Sequence, residues 1–239
     1  MILEVDNIRK SYKNRVVLNS VSLTFNTAEI VGILGANGAG KTTLFSILSG
    51  MIKPDGGEIK LSGRDITYTR LYKRANIGIV YLPQDASIFR GLSVEDNIKA
   101  ILEITYKDEK QISDKLNELL EVFAITHLRK SMAYVLSGGE RRKVEIARAL
   151  ATSPAFLLLD EPFSGVDPIS ISEIVAIMKN LKNSGIGVIV TDHNARETLQ
   201  VIDRGYIMAN GQILVSGTSE EIANNEQARK MYLGATFQF

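Results

Sequence analysis

A glycine-rich loop between an apolar strand and a helix limits this 239-residue chain to a small set of folds. The loop consists of Gly35, Ala36, Asn37, Gly38, Ala39, Gly40, Lys41 and Thr42. The run from Ile30 to Leu34 before it is apolar on both faces, as in a central strand of a parallel sheet. A helix is predicted from Lys41 to about Leu48. Because this order is the context of a phosphate-binding loop, the sequence predicts an α/β fold that binds a nucleoside triphosphate.

The residues of this loop suit the phosphates of ATP. Glycines let backbone N–H groups approach an anion closely, and the following helix adds the positive end of its dipole. We expect Lys41 to reach the β- and γ-phosphates, the Thr42 hydroxyl to bind Mg²⁺, and Thr43 to contact the α-phosphate. A chance glycine turn before a core helix is the alternative, and it does not account for the full pattern.

A second glycine motif lies far downstream, at Leu136, Ser137, Gly138, Gly139 and Glu140. Ser137 with Glu140 three residues later predicts a capping box at a helix start, which is the simplest interpretation. Two adjacent glycines after the cap, however, weaken a helix by roughly 1 kcal/mol each relative to alanine. That loss is understandable if a phosphate approaches Gly138 and Gly139 closely.

Leu-Ser-Gly-Gly-Glu resembles the signature motif of the ATP-binding cassette (ABC) ATPases, and other motifs follow in the order of that family. The stretches that carry the resemblance are residues 81–94, 136–148, 160–170 and 191–199, with Tyr232, Leu233, Gly234 and Phe237 near the end. The resemblance spans essentially the whole chain. It implies a P-loop NTPase (RecA-like) core at 1–85 and 154–239, with an N-terminal antiparallel β subdomain. It also implies an ABC-specific helical subdomain inserted at 86–153.

The resemblance assigns the residues that hydrolyse ATP. Asp160 would hold Mg²⁺, and Glu161 would polarise the attacking water as general base; both end an apolar strand predicted at 156–160. His193, which follows a strand predicted at 188–191, would be the switch histidine that touches the γ-phosphate. Two solvated carboxylates that cap a strand and a satisfied surface histidine are the alternative interpretations.

The remaining nucleotide contacts also follow from the family. Gln84 corresponds to the Q-loop glutamine, which senses Mg²⁺ and links the core to the helical insert. Tyr12 corresponds to the aromatic residue that stacks on adenine, since a flat π-face suits any base; a hairpin aromatic that covers the core is the alternative. Ser137 and Gly139, within the motif that also holds Gly138 and Glu140, would contact ATP bound to a second copy of the chain.

The family also implies partners. A head-to-tail homodimer would enclose two ATP molecules and drive transmembrane permease subunits. Within the family the chain is similar to the ATPase subunits of lipopolysaccharide-export systems, where the segment after the Q-loop receives a coupling helix. Phe89 and Arg90 fall in that segment and are expected to dock the partner. This similarity implies a cytoplasmic protein that lies peripherally on the cytoplasmic face of the inner membrane.

Other members of the family stay open as alternatives. Branched-chain amino-acid importer ATPases share several of the same stretches, and a soluble ABC ATPase of iron–sulfur assembly is compatible with the layout. A small-molecule kinase with a phosphate loop would not require the motif from Ser137 to Glu140. A pull-down from membranes would separate the exporter, the importer and the soluble protein.

Composition narrows the range of partners. A net charge of +1 gives no general attraction to nucleic acid, and Arg141, Arg142 and Lys143 are interpreted as a solvated helix face. The absence of cysteine excludes disulfides and thiolate metal sites. No apolar run approaches the roughly 18 residues that cross a bilayer, so we expect any work on a membrane to go through a partner.

Overall fold

The computed structural model describes residues 1–234, so Phe237 lies outside the described residues. The strands are β1 (Ile2–Tyr12), β2 (Arg15–Asn26), β3 (Ile30–Gly35), β4 (Gly56–Leu61), β5 (Arg64–Asp65), β6 (Ile79–Leu82), β7 (Phe156–Asp160), β8 (Gly187–Thr191), β9 (Arg204–Ala209) and β10 (Gln212–Thr218). The α-helices are α1 (Lys41–Ser49), α2 (Leu71–Asn76), α3 (Val94–Thr105), α4 (Glu109–Val122), α5 (Gly138–Leu150), α6 (Pro168–Asn183), α7 (Ala195–Val201), α8 (Ser219–Asn224) and α9 (Glu226–Ala228). Short 3₁₀ turns cover Thr126–Leu128 and Ala133–Val135, and one π-helical turn covers Arg229–Leu233.

The smaller sheet is antiparallel, with strand order β2-β1-β4-β5. Alternate residues of β1 and β2 are buried, as expected for a sheet with one face in the core and one in solvent. Leu3 and Phe25 of this inner face pack in one apolar cluster with Val31 of β3 and Phe45 of α1. The hairpin between β1 and β2 places Tyr12 opposite Arg15 at the tip of the sheet.

The larger sheet positions the functional residues. Its order is β10-β9-β3-β8-β7-β6, and every neighbouring pair is parallel except β9 with β10. All six residues of β3 are buried, as are all five of β7 and of β8, which confirms the strands predicted from apolar runs. Because the carboxyl ends of parallel neighbours meet at one sheet edge, the residues after β3, β7 and β8 converge there.

Helices α3, α4 and α5 pack together around a second apolar cluster that includes Ile98, Leu120 and Val144. Each of these helices begins at a side-chain cap. The Ser93 hydroxyl caps α3 by accepting a hydrogen bond from the Asp96 N–H, and the Asp108 carboxylate caps α4 by accepting one from the Gln111 N–H. Ser137 caps α5 in the same way. The P-loop α/β core, the N-terminal antiparallel sheet and the helical segment match the predicted fold class. None of the helices within residues 1–234 has the length and apolar character required to cross a bilayer.

Candidate active site for ATP hydrolysis

The phosphate loop joins the end of β3 to the start of α1. Gly35 lies at φ +149°, and a Cβ atom there would collide with the carbonyl oxygen of Met208, so only glycine fits. Gly40 precedes α1 in a left-handed conformation and offers no side-chain cap. The first N–H groups of α1 therefore have no capping side chain, and they suit an anion at the helix N-terminus.

Lys41 is 7% exposed and folds back over the loop. Its Nζ donates hydrogen bonds to the carbonyl oxygens of Gly35 at 2.7 Å and Ala36 at 3.1 Å. Burial lowers the pKa of the Lys41 ammonium, and the nearby carboxylates of Glu161, Asp160 and Asp192 oppose that shift. The loop thus carries a positive charge at its centre that faces three acidic side chains.

Asp160 ends β7 and is 4% exposed. Its Oδ2 atom accepts a hydrogen bond of 2.9 Å from the Tyr81 hydroxyl, a contact that no local sequence pattern indicates. Burial raises the pKa of the Asp160 carboxyl, against the hydrogen bond from Tyr81. Burial and the neighbouring carboxylate also raise the pKa of the Tyr81 hydroxyl. A carboxylate held in so little water suits the binding of a cation.

Three of the predicted residues meet at one carboxylate. The Glu161 Oε2 atom accepts a hydrogen bond of 2.8 Å from the side-chain amide of Gln84. The same atom lies 3.1 Å from Nδ1 of His193. Glu161 itself adopts φ +45°, which is uncommon for a residue with a side chain. Its N–H donates a hydrogen bond of 2.7 Å to the carbonyl oxygen of Thr191. Strain of this kind, fixed by a neighbouring strand end, is typical of functional positions.

Asp192, between β8 and His193, was not assigned from the sequence. It is fully buried, and its carboxylate accepts from the N–H groups of Phe163 at 3.0 Å and Asn194 at 2.8 Å. Burial raises the pKa of this carboxyl. Its position directly after a buried strand, like that of Asp160, was the available signal. The carbonyl oxygen of Asp192 accepts a hydrogen bond of 3.3 Å from the Tyr232 hydroxyl. Asp192 therefore also contacts the last described turn, at Arg229–Leu233.

The signature motif forms the capping box that the spacing predicts. The Ser137 hydroxyl accepts from Glu140 N–H at 3.3 Å, and Glu140 Oε2 accepts from Ser137 N–H at 2.8 Å. Ser137 is exposed. For Gly139 the structure supplies a reason other than a phosphate: a Cβ atom there would lie 2.7 Å from Cβ of Ser170 in α6. Close helix packing therefore explains the second glycine within a single chain.

The interpretation of residues 141–143 as a solvated face is wrong for Arg142, which is 6% exposed. Its guanidinium donates to the carbonyl oxygen of Pro83 at 3.0 Å and contacts Glu145 Oε2 at 3.3 Å. Lys143 forms an ion pair with Glu173 at 2.9 Å. The run contributes to packing between α5 and its neighbours.

The remaining predicted residues lie at the surface. Tyr12 is 45% exposed at the hairpin tip, with Lys10 Nζ 5.6 Å from its ring centroid, so it does not serve to cover the core. Phe89 is 49% exposed, and the Arg148 guanidinium lies 4.8 Å from its ring centroid. Arg90 is exposed beside it. Each of the three can be reached by a ligand or a partner.

The oxygen donors at the sheet edge fit Mg²⁺. Thr42 is exposed at the start of α1, Asp160 supplies a carboxylate, and Gln84 uses its NH₂ group on Glu161, which leaves its carbonyl oxygen for a metal. Within residues 1–234 no group of three or more His, Cys, Asp or Glu side chains is arranged around one metal position. A magnesium ion bound by few protein oxygens would share its coordination with substrate phosphates, which is the usual arrangement.

Comparison with known proteins shows the family and the fold. Residues 18–164 match the model of the family described as ABC transporter. The lipopolysaccharide export system ATP-binding protein LptB of Haemophilus influenzae is 53% identical over 99% of both chains. An uncharacterized ABC transporter ATP-binding protein of Rhizobium meliloti is 54% identical over 96% of this chain and 85% of its own length. The crystal structure of the ADP conformation of MJ1267, an ATP-binding cassette of an ABC transporter, matches with a TM-score of 0.89 and 30% identity over 98% of each chain.

Proposed function

The chain belongs to the ABC transporter family, in which it is an ATPase that couples ATP hydrolysis to transport, and we propose that the transported substrate is lipopolysaccharide. The observation that carries the catalytic part is the convergence of Gln84 and His193 on the carboxylate of Glu161. The similarity to the Haemophilus influenzae export ATPase over the full chain supports the substrate.

In the proposed reaction the nucleotide is held before the chemistry begins. Tyr12 stacks on adenine, and the backbone of Gly35, Asn37, Gly38, Ala39 and Gly40, with Lys41, Thr42 and Thr43, holds the phosphates. Lys41 must exchange its bonds to two loop carbonyls for bonds to phosphate oxygens. The exchange replaces neutral acceptors by charged ones and is therefore favourable.

Hydrolysis then uses the carboxylate of Glu161. As general base it takes a proton from the attacking water, whose oxygen bonds to the γ-phosphorus while the bond from that phosphorus to the departing ADP breaks. Gln84 and His193 keep the Glu161 Oε2 atom in place during this step. Nδ1 of His193 is used on Glu161, and the other ring nitrogen, Nε2, would contact the γ-phosphate. Mg²⁺, held by Thr42, Asp160 and Gln84, would offset negative charge on the phosphate oxygens.

We propose that two copies of the chain complete each site. Ser137, Gly138, Gly139 and Glu140 form a helix start at which Ser137 is exposed and which is capped within its own chain by the Ser137 hydroxyl and the Glu140 carboxylate. An anion bound at this helix end would gain its N–H groups and its dipole. In a head-to-tail dimer this helix end of one copy contacts the γ-phosphate held by the loop of the other.

The membrane part of the proposal concerns the surface after the Q-loop. Permease subunits of the lipopolysaccharide-export type would dock on Phe89 and Arg90, and the protein would lie peripherally on the cytoplasmic face of the inner membrane. In this division of the chain, residues 1–85 and 154–239 form the nucleotide-binding α/β core, and the helical insert at 86–153 carries the signature motif and the docking surface. A branched-chain amino-acid importer or a soluble iron–sulfur assembly ATPase would bring different partners or none.

The test is to isolate the tagged protein from detergent-solubilised membranes of its own organism and to identify what accompanies it. We expect permease subunits and bound lipopolysaccharide with the unaltered protein, and loss of both the permease and the lipopolysaccharide with Phe89→Ala, which should still bind ATP. Recovery of an amino-acid permease with the protein would show that the chain is the ATPase of an amino-acid importer. Recovery of the ATPase without any membrane protein, in repeated preparations, would reject the transport assignment.

A further inference from the structure

A buried carboxylate connects the signature helix to the segment that follows the Q-loop. Glu145, two turns into α5, is 2% exposed. Its Oε1 accepts from the backbone N–H groups of Ser87 at 2.7 Å and Ile88 at 3.2 Å. One side chain of α5 therefore fixes the backbone directly before Phe89.

The other carboxylate oxygen connects the same helix to the hydrolytic residues. Glu145 Oε2 contacts Arg142, whose guanidinium donates to the carbonyl oxygens of Pro83 at 3.0 Å and Asp160 at 3.4 Å. These carbonyls belong to the residues directly before Gln84 and Glu161. The pair thus links the helix, the Q-loop and the end of β7.

A third residue of this helix face reaches the surface residue Phe89. The Arg148 guanidinium donates to the carbonyl and hydroxyl oxygens of Ser87 at 2.7 and 2.8 Å and lies against the ring of Phe89. Asn97 of α3 holds the backbone of Phe89: its Oδ1 atom accepts from the Phe89 N–H, and its Nδ2 atom donates to the Phe89 carbonyl oxygen. The guanidinium that lies against the ring therefore belongs to α5.

We propose that Glu145 is a positioning residue that transmits the state of the nucleotide site to the docking residues Phe89 and Arg90. The inference rests on the proposed function, because Ser137 at the start of the same helix is the contact to the partner's nucleotide. Eight residues of helix span about 12 Å as a rigid rod, so movement of Ser137 carries Glu145 with it. Since Glu145 bonds to backbone groups, the segment at 87–88 must follow.

Two features allow the connection between Glu145 and residues 87–88 to adopt a second arrangement: the charge of its hydrogen bonds and the presence of unpaired donors beside it. Bonds between a carboxylate and buried N–H or guanidinium groups are stronger than neutral ones, so the segment moves with the helix and does not slip. Among the described residues, Arg142 Nε and Arg148 Nη1 are buried and have no acceptor. These donors are available for a second arrangement of the same segment.

The experiment compares amide hydrogen exchange of the peptide covering 86–92 with and without saturating ATP. All proteins carry Glu161→Gln, so that ATP is not consumed. We expect ATP to change the exchange rate of this peptide by about threefold or more, and Glu145→Gln and Glu145→Ala to abolish the change. The Kd for ATP should stay within about threefold in both variants, because Glu145 is not among the proposed nucleotide contacts.

Glu95→Gln is the matched control. Glu95 is also a glutamate of the helical segment and pairs with Arg129 at 2.5 Å and with Lys130, yet it makes no bond to residues 83–90. Its variant should keep the response of the unaltered protein. The inference is overturned if Glu145→Gln, which keeps the side-chain volume, retains the ATP-dependent change, or if the peptide of the parent protein does not respond to bound ATP. Failure of the parent protein to bind ATP would instead reject the proposed function.

Discussion

The side-chain amide of Gln84 donates a hydrogen bond of 2.8 Å to the carboxylate of Glu161, which joins the Q-loop to the end of β7. The bond fixes the orientation of the proposed general base before any substrate is present. Gln84→Ala should therefore lower the rate of ATP hydrolysis by about tenfold, since a hydrogen bond to a charged group is worth roughly 1.5 kcal/mol or more. Steady-state phosphate release would show a lower kcat, with a higher KM for Mg–ATP because the same side chain also holds Mg²⁺; an unchanged kcat would contradict the positioning role.

Removal of the Asp160 charge should stabilise the nucleotide-free protein. Burial raises the pKa of this carboxyl, so the folded state binds its proton more tightly than the unfolded chain does. The Asp160 carboxyl favours the folded state most at low pH, where it is protonated. This contribution to stability is lost as the pH rises through the pKa that the carboxyl has in the folded protein. Asp160→Asn should raise the free energy of unfolding at pH 7 by about 1 kcal/mol, with a smaller gain near pH 4, and should abolish hydrolysis.

Asp65→Asn is the control for this measurement, because removal of the Asp65 charge should change the free energy of unfolding in the opposite direction. Hydrogen bonds from the Thr67 hydroxyl and N–H lower the pKa of the exposed Asp65 carboxyl. Its charge therefore favours the folded state at pH 7, and its removal should lower stability there. Urea unfolding at several pH values measures both variants. Loss of stability in Asp160→Asn at pH 7 would contradict the account of a buried, unfavourable charge.

Arg74 stabilises the end of the phosphate-loop helix. The side chain is fully buried, and burial lowers the pKa of its guanidinium to about 10, so it stays charged at pH 7. Its donors satisfy the carbonyl oxygens of Ile47, Leu48, Ile66, Thr67 and Thr69. Arg74→Lys cannot reach all of them and should reduce the free energy of unfolding by about 3 kcal/mol. The exposed neighbour variant Lys73→Ala should change it by less than about 0.5 kcal/mol, and equal effects would reject the role of Arg74.

The packing of Gly139 against Ser170 gives a testable pair. Gly139→Ala places a Cβ atom 2.7 Å from Cβ of Ser170, so α5 and α6 must separate and hydrolysis should fall at least about tenfold. The double variant with Ser170→Gly removes the obstructing atoms and should recover most of the thermal stability and part of the activity. If stability is normal in Gly139→Ala alone, the glycine is required by the bound nucleotide and not by packing.

The local features of the site could be predicted from the sequence. The strand at 30–34, the loop and α1 follow from a run of apolar residues, glycines and a helix start, all within twenty residues. The capping box at Ser137 and the cap of α6 at Asp167 are likewise set by neighbours in the sequence. Parallel pairing of β3, β8 and β7 then brings Asp160, Glu161 and His193 to one edge of the sheet.

The contacts between distant parts of the chain could not be predicted. Arg142 was interpreted as solvated because a run of basic residues usually faces water, and its acceptors at Pro83 and Asp160 lie 59 and 18 residues away. Tyr81 could not be predicted because only the fold places its hydroxyl against Asp160. Asp192 follows an apolar strand, as Asp160 does, but its contact with Phe163, 29 residues away, depends on the fold. Local patterns specify caps and strands, whereas the environment of a buried charge depends on the tertiary fold.

The enclosure of ATP between two copies is tested most directly by the mass of Glu161→Gln in solution. Light scattering during size exclusion with Mg²⁺ and ATP should give roughly twice the chain mass of 26.3 kDa, and the unaltered protein should hydrolyse ATP at least about a hundredfold faster than this variant. Adding Ser137→Arg to Glu161→Gln should return the protein to the monomer mass while each chain still binds ATP. A Glu161→Gln protein that is saturated with ATP and remains a monomer would contradict the account.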